Sequence, residues 1–230
     1  MVARMDLPVA PPSPIPVPRE EQRFLLHNVR WEIYDLLRRE FDTRAVRMSY
    51  DGTNLELSTS SFRHERLTAL LGRFVERLAE ERGLPLSSGG STTFRRSELL
   101  RGLEPDRCYW LAHEPAVRGV AEFNPATMPP PDLAIEVEIS RLLLDRIDIY
   151  HRLQVPEIWR CDGTMVECLV WQPGRGYRTA EHSLSFPRLV PAQLAPFLVL
   201  DPHTTENELL RRDRKSTRLN SSHQIISYAV

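Results

Sequence analysis

The chemically informative feature of this 230-residue chain is a set of acidic residues inside otherwise apolar strand patterns. Charged side chains are rarely buried unless they are paired or bound to a metal. Asp132-Leu-Ala-Ile-Glu136-Val-Glu138 is the most apolar strand pattern in the sequence. Period-two alternation puts Asp132, Ala134, Glu136 and Glu138 on one face, and Leu133, Ile135, Val137 and Ile139 on the other. Upstream, Pro105-Asp106 leads into a second apolar strand, Cys108-Tyr109-Trp110-Leu111-Ala112. Clustered carboxylates suit hard cations such as Mg²⁺ or Mn²⁺. A cation held there would activate water and stabilise a phosphate oxyanion.

Each acidic residue also has a purely structural reading. Asp106, after a proline, could cap a turn; Asp132 could serve the turn at Pro129–Pro131; Glu138 could face solvent at its strand end. Glu136 resists this, because it lies mid-strand in apolar surroundings. Glu56, in Asn54-Leu-Glu-Leu-Ser58, has a similar setting on a hairpin strand that can be half exposed. His64 begins a long helix beside that hairpin and reads as structural or accessory. Arg95, Arg96, Arg101 and Arg107 lie near Asp106 in sequence, as a candidate contact for DNA phosphates or as a solvated loop.

The elements that must position these residues follow from periodicity and turn chemistry. Phe24 to Phe41 carries Trp31, Ile33, Leu36, Leu37 and Phe41 at helical spacing. Val46–Tyr50 and Asn54–Thr59 alternate as strands around the hairpin signal Asp51-Gly52. Ser60 or Ser61 caps a helix running to about Arg82, with Leu67, Leu70, Leu71, Phe74, Val75 and Leu78 on its buried face and Gly83 at its end. Strands are expected near 91–96 and 106–112, a loop at 125–131, a central strand at Leu133–Ile139 and a helix at Leu142–Leu153. Strands at Val155–Cys161, Met165–Gln172 and Tyr177–Glu181 follow, and Leu189–Leu200 closes the domain.

A hydrophobic content of 41% over this length suffices for one full core with short appendages. The expected organisation is a Pro-rich leader over residues 1–22, one domain over 23–212 and a non-native tail over 213–230. The tail, DRKSTRLNSSHQIISYAV, resembles the translation of a common sequencing adapter and is set aside. Removing it changes the net charge from −1 to −3 and removes the only lysine, Lys215. Net charge therefore supplies no basic surface. Three cysteines without zinc spacing read as reduced thiols of a cytoplasmic protein. No apolar run reaches a membrane span, there is no secretory signal, and there is no glycine-rich phosphate loop or nucleophile motif.

Taken together, several segments resemble the Uma2 family, also called DUF820, of restriction endonucleases within the PD-(D/E)XK nuclease superfamily. The segments are the hairpin with Glu56, Ser61 and His64 leading a helix, Gly102-Leu-Glu-Pro-Asp106-Arg-Cys-Tyr-Trp110, Pro130-Pro-Asp132-Leu-Ala-Ile-Glu136-Val-Glu138, Asp145-Arg-Ile-Asp-Ile-Tyr150 and Val155-Pro-Glu-Ile-Trp159-Arg. The resemblance covers about residues 24–210. It implies that Asp106 and Glu136 are the metal-binding acids and that Glu56 completes the site. The superfamily's lysine two positions after the second acid is Glu138 here. Many relatives instead carry a lysine four residues before the tyrosine that matches Tyr150, and here that position is Arg146. Arginine keeps the charge but cannot carry a proton near neutral pH.

The expected fold is α/β, an α+β mixed sheet of restriction-endonuclease-like core with flanking helices. The expected function is a Mg²⁺- or Mn²⁺-dependent endonuclease acting on DNA, with Arg146 stabilising developing charge and a homodimer implied by the resemblance. The alternative is an inactive nucleic-acid-binding or scaffold domain of the same fold. Two structural expectations accompany this reading. The Asp106 and Glu136 strands adjoin in one sheet, and Glu136→Ala leaves folding intact by relieving repulsion among carboxylates.

Overall fold

Where the sequence reading begins a helix, the computed structural model of the chain has a strand. The structure describes residues 21–41, 46–199 and 201–211, so residues 1–20 of the expected leader and the whole expected tail lie outside the described residues. Strand β1 (Gln22–Leu26) pairs antiparallel with β3 (Leu55–Thr59), from Gln22↔Thr59 to Leu26↔Leu55. Helix α1 starts only at Trp31 and runs to Glu40. Asn28, at φ 55°, takes the left-handed conformation that asparagine tolerates, and this separates the two elements.

Strand β2 (Arg47–Tyr50) and β3 form the expected hairpin. Asp51 Oδ1 accepts the backbone N–H groups of Thr53 and Asn54 at 2.9 and 2.6 Å, and Gly52 supplies φ 96° at the turn. Helix α2 (Phe62–Arg82) is capped by Ser61 Oγ, which accepts His64 N–H at 3.2 Å, and ends at Gly83 with φ 62°. Its buried face carries all six of the expected apolar residues.

Next come β4 (Ser87–Gly90), β5 (Phe94–Arg96), β6 (Arg101–Leu103), β7 (Arg107–Trp110), the single turn α3 (Glu114–Val117) and β8 (Leu133–Val137). Then follow α4 (Arg146–Leu153), β9 (Glu157–Cys161), β10 (Val166–Gln172), β11 (Gly176–Ala180) and a 3₁₀ segment, Pro191–Phe197. The strands form two sheets: a five-stranded one ordered β1-β3-β2-β6-β5 and a six-stranded one ordered β11-β10-β9-β8-β7-β4. Among the described residues only β8 and β9 pair in parallel, and α4 makes the crossover between them. The mixed α/β class expected from sequence holds, with the five-stranded sheet as an addition to it.

Strand β8 is buried at every position. Leu133, Ile135 and Val137 pack with the α2 side chains, and Ala134 packs with Ile149, Tyr150 and Leu153 of α4. This coverage on both faces is why β8 reads as a continuous apolar run. A third cluster, Tyr34, Met48, Tyr50 and Leu55, lies between α1 and the five-stranded sheet. Helix α4 begins four residues later than expected. Asp145 caps it by accepting Ile147 N–H at 3.0 Å, and the N–H groups of Leu143 and Leu144 bond to Glu56. The three cysteines are buried free thiols, with Cys161 opposite Val166 and Cys168 opposite Trp159. No described helix is long and apolar enough to cross a membrane.

A β-carbon at Gly102 of β6 would overlap the hydroxyl and ring edge of Tyr34, which is fully buried. Gly102→Ala is expected to lower stability by about 1–3 kcal/mol in urea unfolding. Adding Tyr34→Phe is expected to restore part of that loss. Equal stability of Gly102→Ala and parent would contradict the packing described.

Candidate active site

Asp106 and Glu136 lie one step beyond the Arg107↔Ile135 pair of the antiparallel β7–β8 ladder, which makes them cross-strand neighbours. Asp106 Oδ2 accepts the N–H of Val137 at 2.6 Å, tying the end of β7 to β8. The expectation that these two acids sit on adjoining strands of one sheet is met. Both are buried, at 4% and 1% exposure.

Buried carboxylates need compensating charge, and here arginines from distant elements provide it. Asp106 pairs with Arg47 of β2 and lies 3.1 Å from His64 Nε2 at the start of α2. Glu136 pairs through Oε2 with Arg146 Nη1 at 2.7 Å and accepts the Tyr150 hydroxyl at Oε1. Arg146 and Tyr150 are four apart on α4, so both face β8. Arg146 also donates to the Glu104 carbonyl at 2.6 Å. Glu56 pairs with Arg23 at 2.8 Å and accepts the Leu143 and Leu144 N–H groups at 2.7 and 3.2 Å. The Glu104 carboxylate pairs with Arg38 at 2.7 Å.

Burial lowers the pKa of Arg47 despite the nearby charges of Glu65, Glu136 and Glu104. Burial also opposes the charge of Arg146, but Glu136, Tyr150, Glu56 and Glu138 outweigh it and raise its pKa. Burial, then Glu136, hold the Tyr150 phenol well above its usual range. Tyr150 is thus a neutral hydrogen-bond donor to Glu136. Burial, then Glu136, push Glu138 up to about 7.

Other expected site residues are dispersed. Arg107 lines the cleft beside Asp106, and Arg95 pairs with Asp35 in a neighbouring cleft. Arg96 donates to the Pro125 carbonyl, and Arg101 turns to Leu99, Leu100 and Asp148. The four arginines therefore do not jointly surround Asp106. Nearness in sequence does not carry over: Arg95, Arg96 and Arg101 lie on the β5–β6 hairpin of the five-stranded sheet, with Arg96 opposite Arg101, and Arg107 lies in the six-stranded sheet. The carboxylate row on β8 is divided as well. Asp132 accepts the Leu111 and His113 N–H groups at the far end of the strand, while Glu138 lines another cleft with Arg160. The sequence reading does not single out Arg47, Arg23 or Glu104, nor Glu21, which lies 3.4 Å from Arg23 and 3.9 Å from His64 Nε2. The one signal for Arg47 was a charge within the Val46–Tyr50 strand pattern.

The donor chemistry of Asp106 and Glu136 fits a hard divalent cation. Both are carboxylates on adjoining strands, and the buried Glu136 Oε2 is engaged by Arg146. Mg²⁺ needs only one or two carboxylates, completing its shell with water and phosphate oxygens. Among the described residues no group of three or more His, Cys, Asp or Glu side chains is arranged to hold a metal ion. The three-carboxylate set expected from sequence is thus not assembled, because Glu56 is committed to Arg23 and the backbone ahead of α4.

A mixed sheet covered by helices on both faces, with two acids on adjoining strands and an arginine from the next helix, defines an α/β protein with an acidic, arginine-balanced centre. The profile of the Uma2 family, described as "Putative restriction endonuclease", matches residues 31–202, and the chain belongs to that family. No curated protein matches. Among solved structures, a crystal structure described as "a putative nuclease belonging to DUF820" from Anabaena variabilis ATCC 29413 is similar at 12% identity and a TM-score of 0.49. The match covers 80% of this chain and 98% of that one.

The pairing overturns the expectation that Glu136→Ala leaves folding intact. Repulsion among carboxylates is not the dominant force, because Arg146 sits against Glu136 and would be left as an uncompensated buried charge. Glu136→Ala is expected to cost about 3–5 kcal/mol in urea unfolding, and an unchanged midpoint would contradict the ion pair. Glu138 gives a pH-dependent test. Its folded pKa of about 7 lies above the ordinary 4.5, so its contribution is fully present below pH 4.5 and lost as pH rises through 7. Glu138→Gln is therefore expected to match the parent near pH 4 and to exceed it by up to about 3 kcal/mol at pH 8. Parallel stability curves for the two proteins would remove the assignment.

Proposed function

We propose that the chain is an endonuclease that hydrolyses phosphodiester bonds of DNA, with Mg²⁺ or Mn²⁺ held by Asp106 and Glu136. The observation that carries this reading is the cross-strand pair of carboxylates with Arg146 lying against Glu136. Membership of the Uma2 family supports the nuclease class. When bound, the cation would supply Lewis-acid activation of water and neutralise charge on the phosphate.

The chain's own residues prepare the site. The Val137 N–H and His64 orient Asp106, and the Tyr150 hydroxyl orients Glu136. Glu56 fixes the backbone at 143–144, and thereby the entry into α4 that carries Arg146. Arg146 keeps its charge at any working pH, with Nη1 against Glu136 and Nη2 on the Glu104 carbonyl, so its role is to offset negative charge developing at the site from behind Glu136. It cannot take up the proton released by water. A homodimer, which would let two sites cut two strands, and residence in the cytoplasm, supported by three free thiols, belong to the same proposal.

A second reading, a nucleic-acid-binding domain without catalysis, is favoured by one observation: an arginine stands against each of Asp106, Glu136 and Glu56. Incubation with single- and double-stranded DNA plus Mg²⁺ or Mn²⁺ tests the first reading. Cleavage is expected, and Asp106→Asn and Glu136→Gln are expected to abolish it in folded protein. Calorimetric titration with Mn²⁺ separates the readings, since the binding-only domain takes up no cation. Arg146→Lys is expected to cleave faster than the parent. Arg146→Ala is expected to reduce cleavage, and unchanged rates for both the lysine and the alanine variants would remove Arg146 from the mechanism.

A further inference from the structure

Two clefts adjoin beside the acidic centre. The inner cleft, about 750 Å³, is lined by Asp106, Arg47, Arg107 and the loop at 89–93. The outer cleft, about 760 Å³, is lined by Arg39, Arg95 and Phe123. Arg38 and Thr93 line both, so the clefts share a wall. The Arg38 guanidinium secures that wall by donating to Thr93 Oγ1 at 2.8 Å and pairing with Glu104.

The outer cleft combines guanidinium groups with an aromatic ring. Arg39 and Arg95 both pair with Asp35, which holds them side by side, yet their side chains remain 68% and 41% exposed. With Arg38 they outnumber the two carboxylates lining this cleft, Glu98 and Glu122. Phe123 is half-buried. Its ring packs against Phe94 and Trp110, with centroids 5.2 and 5.1 Å apart, which fixes its orientation. Neighbouring guanidiniums and an immobilised aromatic ring are the two elements that bind unpaired nucleic acid. A base inside a duplex has both faces covered by its neighbours and offers none to such a ring.

We infer that an extended single strand of nucleic acid lies along these two clefts, with phosphates against Arg39, Arg95 and Arg107 and one base stacked on Phe123. Each cleft has the volume of a small-ligand site, enough for one or two nucleotides. The strand passes the Arg38–Thr93 wall and reaches Asp106 in the inner cleft. This inference rests on the proposed function for the choice of ligand, and it narrows the substrate to DNA that is unpaired where it meets the protein.

The test is fluorescence anisotropy of an end-labelled oligothymidylate and of a duplex of the same length, in EDTA so that cleavage does not enter. The full chain is expected to bind the single strand more tightly than the duplex. Phe123→Leu keeps an apolar side chain against Phe94 and Trp110 but removes the ring, and is expected to weaken binding at least about fivefold. The double variant Arg39→Ala, Arg95→Ala is expected to reduce the slope of log affinity against log salt by about 1.4. Arg178→Ala, on the opposite edge strand β11, is expected to change nothing. Equal or tighter duplex binding, or parent-like binding by both the Phe123 and arginine variants, would overturn the inference. A protein that binds the single strand in this way but cuts no DNA with Mg²⁺ or Mn²⁺ loses the proposed function and keeps this site. One that cuts duplex DNA and ignores the single strand loses this site alone.

Discussion

The ion pair between Glu136 and Arg146 is the interaction on which the rest of the centre depends. Both groups are buried, and neither is tolerable there without the other. Satisfying them fixes how α4 lies on the six-stranded sheet, because Arg146 and Tyr150 must reach the same carboxylate. It also fixes the chain before β7, because Arg146 donates to the Glu104 carbonyl. The next residue but one is Asp106, whose carboxylate closes back onto β8 through Val137. One buried pair thus ties together a helix, a strand and the loop that presents the second acid.

The same rule extends outward. Asp106 draws in Arg47 from the other sheet, and Glu56 draws in Arg23. The Asp106–Arg47 pair joins the two sheets, whereas the Arg23–Glu56 pair lies within the five-stranded sheet, and Glu56 ties that sheet to the backbone ahead of α4. Buried pairs contribute little net stability against well-packed hydrophobes, but they penalise every arrangement that leaves one partner alone. The centre therefore acts as a register device as well as a site for chemistry.

What was legible in the sequence follows from range. The Asp51-Gly52 hairpin, α2 with its Ser61 cap and Gly83 stop, and the strands from β8 to β10 are set by local turn chemistry and periodicity, and they could be read directly. Strand β1 was hidden because its apolar residues are contiguous with those of α1, and only Asn28 marks the break. The second sheet was hidden because strand partnership is decided by packing between distant segments. Asp106, Glu136 and their adjacency stood out as acids within apolar strands. Tyr150 and Arg146 came from the family resemblance, and the structure places both against Glu136. Arg23 gave no warning and Arg47 only its charge within a strand pattern, since an arginine in an alternating strand looks like an outward-facing residue until its partner is known. Glu56 was correctly singled out as unusual, but what makes it unusual is a bond to the Leu143 and Leu144 backbone.

The centre collects side chains from residues 23, 47, 56, 64, 106, 136 and 146, across both sheets and two helices. No contiguous segment of the chain contains enough of it to form alone. Contacts between residues so far apart in sequence require large loops to close before they return any stabilisation, which makes them slow to appear during folding. A partly folded chain with β7 to β11 in place, but without the β2–β3 hairpin docked, has Asp106 without Arg47 and lacks the Glu56 bonds that fix the entry into α4. Such a chain has no assembled reaction centre, so whatever chemistry the protein performs is confined to its fully folded state.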